Sequence, residues 1–188
     1  MDQKEKLDGL RADGWQVRKC TLTGKQVYLW GVLFALPFLF LAGGMYRTFL
    51  LHRAVLLDHT GILLLFAAAV SLPIHEGLHS LGWKLSGRLK KEDTVFLLCH
   101  GLPMCSCKAI LSAKAYLIGV FLPFLVLGGG SLLFLILYPG TISLLTALVN
   151  LTLPGADLVI AYEILRSGAA LVADSPECSG FIGLYHKD

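Results

Sequence analysis

Thr60-Gly61-Ile62-Leu63-Leu64-Leu65-Phe66-Ala67-Ala68-Ala69-Val70-Ser71-Leu72-Pro73-Ile74-His75-Glu76-Gly77-Leu78-His79-Ser80 decides how this chain is to be read. Up to Ile74 the stretch is almost wholly apolar, and with the residues that follow it is long enough to cross a bilayer as a helix. His75-Glu76-Gly77-Leu78-His79 then places H-E-x-x-H inside that span. Residues four apart share one face of a helix, so His75 and His79 can reach one metal ion together. Glu76 beside them is placed to take a proton from a zinc-activated water, the arrangement of zinc hydrolases. Ionisable groups are costly at that depth and mark a site. The competing reading, two histidines satisfied by ordinary hydrogen bonds, gives no reason for their apolar setting.

Composition supports the membrane. The 188 residues are 55% hydrophobic and 15% charged, and the mean hydropathy is +0.69. Soluble domains carry about 25% charged residues. The expected fold class is an all-α polytopic membrane protein with about four transmembrane helices. The hydrophilic residues 1–25 form an N-terminal segment, 26–166 a membrane-embedded domain and 167–188 a C-terminal tail. The first apolar run is too long for a cleavable leader and reads as a signal anchor. No basic stripe with interleaved aromatics is present, so no nucleic-acid partner is expected. The five cysteines are an odd number and form no disulfide framework. They lie on or near the side assigned below to the cytoplasm, where thiols stay reduced.

The spans are expected at about Val27 to Leu51, Gly61 to Leu85, Ala115 to Leu137 and Ile142 to Leu165. In the lead-in, Asp2 to Arg11 suits a short amphipathic helix and Gly14 to Lys19 a short strand, with Trp15 at the membrane interface. The loop at Leu51 to His59 carries His52, Arg53, Asp58 and His59, read as ordinary loop polars. Between spans two and three, Thr94 to Cys99 reads as a strand that returns over Lys108 to Ser112, a hairpin or re-entrant segment. Lipid-exposed sheet edges are forbidden, so this segment lines a protein cavity or lies at the interface. Asp174-Ser175-Pro176-Glu177 reads as a turn, and Gly180 to Tyr185 as a strand. Lys and Arg flank span one on its N-terminal side and follow span two at Lys84, Arg88, Lys90 and Lys91. The turn after span three has no basic residue, which puts both termini in the cytoplasm.

A catalytic zinc takes three protein ligands and leaves a position open. Asp157 is the only acidic residue well inside span four; Glu163 lies nearer the interface and is a weaker candidate. His79 lies nine residues before Arg88, and Asp157 nine before Arg166. Equal offsets from basic anchors in spans of the same direction put both groups at similar depth. The alternative for Asp157 is pairing with a hydroxyl or backbone amide. Asn150 is a candidate for holding substrate backbone, or else for capping a helix broken at Pro154-Gly155. Cys99-His100 and Cys105-Ser106-Cys107 match no common zinc spacing and read as loop thiols.

Together these residues resemble the site-2 protease class of intramembrane zinc metalloproteases. The resemblance rests on His75-Glu76-Gly77-Leu78-His79, on Ser86-Gly87-Arg88, and on Asn150, Pro154 and Asp157 in one segment. The layout is also similar to a small bacterial family of zincin peptidases. That family shares a Gly-Trp near the start (here Gly14-Trp15), a cysteine-containing strand segment between spans and an acidic tail like Val172-Ala173-Asp174. One departure stands out: Leu158 follows Asp157 where site-2 proteases have glycine.

The resemblance implies a bacterial, multi-pass enzyme of the cell membrane that hydrolyses membrane-protein or peptide substrates. Zinc would sit on His75, His79 and Asp157, with Glu76 as general base. The hairpin then offers a strand edge to an extended substrate. The rival readings are a non-catalytic membrane scaffold and a small metal or proton transporter using the same polar residues. A haem protein is disfavoured, because spans one, three and four hold no mid-depth histidine.

Overall fold

The structure, a computed structural model, describes residues 3–21, 23–45, 47–48, 60–99, 102–175 and 180–186. The loop at Leu51 to His59 lies outside them, as do His100, Pro176, Glu177 and Cys178. A short helix α1 (Gln3–Ala12) and strand β1 (Gln16–Thr21) lead into α2 (Gly24–Met45). The long helix α3 (Thr60–Gly87) follows, then strands β2 (Thr94–Cys99), β3 (Leu102–Cys107) and β4 (Leu111–Ser112). Helix α4 (Ala113–Pro123) runs through one π-helical turn at Phe124–Gly128 into α5 (Gly129–Leu137). Helices α6 (Thr141–Thr152) and α7 (Gly155–Ser167) lead to β5 (Leu171–Asp174) and β6 (Gly180–Tyr185).

Among the described residues, three helical stretches are long and apolar enough to cross a membrane: Gly61–Gly87, Ala113–Leu137 and Thr141–Ser167. The apolar part of α2, Leu29–Gly44, is shorter. The helices turn apolar side chains outward, Leu65, Phe66, Leu125 and Leu137 among them, the inverse of a water-soluble surface. α3 continues through Pro73; its 28 residues extend about 42 Å at about 1.5 Å per residue. That exceeds a hydrocarbon core of about 30 Å, and its last turn carries the basic Lys84. There Arg88 takes a left-handed conformation (φ 52°) and ends the helix.

An all-α description omits a four-stranded sheet in the order β1-β6-β5-β4. All its pairs are antiparallel: Val17 faces Leu184, Val172 faces Gly183 and Leu111 faces Val172. The strands of lead-in and tail thus lie side by side, and β4 ties them to the start of α4. The hairpin is a separate two-stranded sheet in which Phe96 faces Cys105. Its return strand begins at Leu102, not at Lys108 as the sequence suggested, and Leu111-Ser112 joins the other sheet. In the sequence, Gly101, Pro103, Ser106 and Lys108 interrupt the strand pattern after Cys99. Pro103 lacks an amide to donate, but it sits where β3 turns its amides away from β2, a position open to proline.

Helices approach closely at two glycine pairs. A Cβ added to Gly82 of α3 would lie 2.7 Å from the Cα of Gly119 in α4, and one added to Gly155 would lie 2.5 Å from the Gly31 carbonyl oxygen. The first contact sets the α3–α4 interface, where Trp83 and Tyr116 are buried with Cys107, Ile164, Val172 and Phe181. Gly119→Ala drives its methyl into the Trp83 indole. It is expected to cost about 1–3 kcal/mol, read as a lower thermal unfolding midpoint in detergent. Gly129→Ala, with nothing within 4 Å of the added carbon, should leave that midpoint in place.

Candidate metal centre

α3 presents His75 and His79 on one face, and the break between α6 and α7 presents Asp157. α6 ends at Thr152 and α7 restarts at Gly155, so Asp157 falls in the first turn of α7, where a carboxylate complements the helix dipole. His75 Nε2 lies 3.0 Å from Asp157 Oδ2, His79 Nε2 lies 3.4 Å from the same oxygen, and the two Nε2 atoms are 3.1 Å apart. Both histidines are buried, 4% and 5% exposed.

This triangle fits zinc. Ligand bonds of about 2.0–2.1 Å at a tetrahedral angle separate donor atoms by about 3.3 Å, close to the three observed edges. The tautomer also fits. His79 Nδ1 lies 3.0 Å from the Gly119 carbonyl oxygen, which can only accept. Nδ1 therefore carries the proton, and the Nε2 lone pair is free to face a metal. The His79 ring stacks on Trp83 at 5.5 Å, and the Trp83 indole N–H donates to the Tyr116 carbonyl at 3.0 Å. The ligand helix is thereby locked against α4.

Glu76 stands outside the triangle. Its Oε2 accepts from the Cys105 amide at 2.5 Å, so β3 holds the carboxylate. Ser80 and Thr94 share a hydrogen bond of 2.9 Å that fastens the start of β2 to the same helix. One cavity is lined by Glu76, His79, Cys105, Tyr116, Asp157 and Asp174. The sequence reads Asp174 as the start of a turn and as part of an acidic tail, with no part in the site; the structure makes it the last residue of β5. It ends an apolar strand, and its carboxylate accepts from the Cys107 amide at 2.6 Å and from the Tyr116 hydroxyl. Burial pushes its carboxyl above the usual aspartate range, opposed by these two donors. The available signal was the run Leu171-Val172-Ala173: a buried strand ending in an acid needs a partner for that acid.

Other candidates lie elsewhere. Glu163 pairs with Arg166 at 3.6 Å on an exposed part of α7. Asn150 is buried in α6 with its Oδ1 lacking a hydrogen-bond partner among the described residues, and it is not among the residues lining the cavity. Cys105 and Cys107 are free thiols. Burial is the main cause that pushes both up to about 12, with Glu76 and Asp174 adding to the effect at Cys105.

Two imidazoles and a carboxylate converging on one point, beside a glutamate that does not join them, form the donor set of a catalytic zinc centre. The family model described as "Putative zincin peptidase" matches residues 68–172, and the chain belongs to that family. Its description implies zinc, and the His75, His79 and Asp157 group can hold the ion. No curated protein and no solved structure matches the chain.

Two outcomes follow for the purified protein. Zinc measured by mass spectrometry should be bound by the wild type and largely lost from His75→Ala, His79→Ala and Asp157→Ala; equal zinc in all four would remove the centre. With thiols near 12, only about one in ten thousand of Cys105 and Cys107 is thiolate at pH 8. Iodoacetamide should therefore leave both unmodified in the folded chain and label them after unfolding.

Proposed function

We propose that the chain is an intramembrane zinc metallopeptidase of site-2 protease type, hydrolysing peptide bonds of membrane-associated substrates. The observation that carries this reading is the depth of the centre: its ligands come from two membrane-length helices, not from a soluble domain. His75, His79 and Asp157 would hold the zinc, which when bound would supply a Lewis acid for activating water and polarising the scissile carbonyl. Glu76 does the proton work. Its Oε2 is held by the Cys105 amide, so Oε1 takes the proton from the attacking water and passes it to the leaving amine. Asn150, whose Oδ1 has no donor among the described residues, lies outside the lining of the cavity beside Glu76 and has no part in this reading.

The substrate strand is assigned to β2. Among the described strands, β2 pairs with β3 alone. Since Cys105 and Cys107 turn their amides away from β2, the opposing Phe96 and Thr94 turn theirs outward on the far edge. That edge, with Phe96 and Leu98 exposed, suits an extended peptide added as a third strand. Pairing of β1 with β6 puts the segments before and after the helices at one end of the molecule. With Lys84, Arg88, Lys90 and Lys91 near that end, both termini are assigned to the cytoplasm of a bacterial cell, with α2 as a fourth span.

The test uses full-length protein in nanodiscs, with zinc content and hydrolysis of a fluorescent unfolded protein as readouts. Glu76→Gln should keep its zinc and lose about 10²–10⁴-fold in turnover. Unchanged turnover would end the peptidase reading, and zinc-dependent transport surviving in Glu76→Gln would support a transporter. Phe96→Pro removes one outward amide and leaves the β2–β3 ladder intact. It should cut turnover by about tenfold at unchanged zinc, and wild-type turnover would show that substrate does not use this edge.

A further inference from the structure

We propose that Asp174 is a positioning residue of the reaction: its carboxylate, gripping the Cys107 amide and the Tyr116 hydroxyl together, holds β3 so that the Cys105 amide meets Glu76. The catalytic part of this proposal rests on Glu76 as the base; the mechanical part does not.

The outer edge of β3 carries it. In an antiparallel pair, amides alternate in direction, so those of residues 103, 105 and 107 share the edge facing away from β2. Pro103 has no amide to offer. Cys105 donates to Glu76 at 2.5 Å and Cys107 to Asp174 at 2.6 Å. Every donor on that edge is therefore taken by a carboxylate, one from α3 and one from β5. A single hydrogen bond would let the strand pivot about it. Two, spaced by about 6.8 Å along the strand, fix its angle and its register.

Asp174 is itself held from three sides. Its second oxygen accepts from the Tyr116 hydroxyl of α4, and the backbone carbonyl of Tyr116 accepts from Trp83, the residue that stacks on His79. β5, which carries Asp174, lies inside the four-stranded sheet between β4 and β6. The side-chain amide of Gln3 donates to the Asp174 carbonyl oxygen at 3.3 Å. His79, Trp83, Tyr116, Asp174, Cys107, Cys105 and Glu76 are thus joined in one path of contacts, and Asp174 is its link to the tail. Both oxygens of Asp174 are engaged within the protein, which assigns it to holding the site and not to binding substrate. It lies just beyond the residues 68–172 that the family model spans.

The test compares the full-length wild type with Asp174→Asn and Tyr116→Phe in nanodiscs. Hydrogen exchange is resolved to single amides, alongside zinc content and the kcat and KM for hydrolysis of the fluorescent unfolded protein. In Asp174→Asn, exchange at both Cys105 and Cys107 should accelerate by about tenfold or more. Zinc should stay at the wild-type level, and kcat should fall by about tenfold or more at unchanged KM. Tyr116→Phe, which removes one donor and keeps the ring, should accelerate the same two amides less. Acceleration at Cys107 alone, with Cys105 and kcat at wild-type values, would overturn the proposal. If Asp174→Asn does not fold, wild-type exchange at Cys105 in Tyr116→Phe overturns it equally. Release of Cys105 in Asp174→Asn, from a wild type that cleaves nothing, would support the mechanical coupling and reject the peptidase reading instead.

Discussion

Two buried imidazoles and a carboxylate meeting within 3.4 Å is the arrangement on which the rest of this structure depends. In a low-dielectric interior, such groups are tolerated when they pair or share a metal. Bringing them together requires α7 to begin where α3 carries its histidines. The break at Leu153-Pro154 permits that, and glycine at Gly82, Gly119, Gly31 and Gly155 lets the backbones come close enough. Small residues here are a geometric requirement of the polar centre, since each missing side chain is replaced by a neighbouring helix.

The second layer of order comes from carboxylates used as strand acceptors. An isolated two-stranded hairpin is marginal in water, and β2–β3 has no third strand among the described residues. Glu76 and Asp174 stand where such a strand would be, accepting the amides it would have accepted. One of these acids belongs to the signature on α3 and the other to the tail, so the hairpin joins the membrane helices to the terminal sheet.

What could be read from the sequence divides by range. His75, Glu76 and His79 are legible because helical periodicity is local, and their apolar surroundings make them conspicuous. Asp157 is legible for a similar reason: an acid inside a span has few explanations. The placement of β3 was obscured by Pro103, whose tolerance depends on which edge of the strand it faces. The four-stranded sheet was not legible as a sheet. Gln16–Thr21 and Gly180–Tyr185 each look like a short strand, but nothing local shows that they pair across the length of the chain. Asp174 was lost with the sheet, because its partners on β3 and α4 become its neighbours only after that pairing forms.

The pairing of β1 with β6 also sets an order of events during biosynthesis. β1 is made before any of the long apolar helices and β6 after all of them, and chains emerge N-terminus first. The helices, with His75, His79 and Asp157 among them, are therefore made while β1 is still without its neighbour. Asp174 reaches Cys107 only when β5 has been translated, so the helices that carry the donor atoms are made before the residue that clamps β3. A ribosome that has not yet reached β5 carries the donor atoms of the centre, His75, His79 and Asp157, with the Cys107 amide still unclamped.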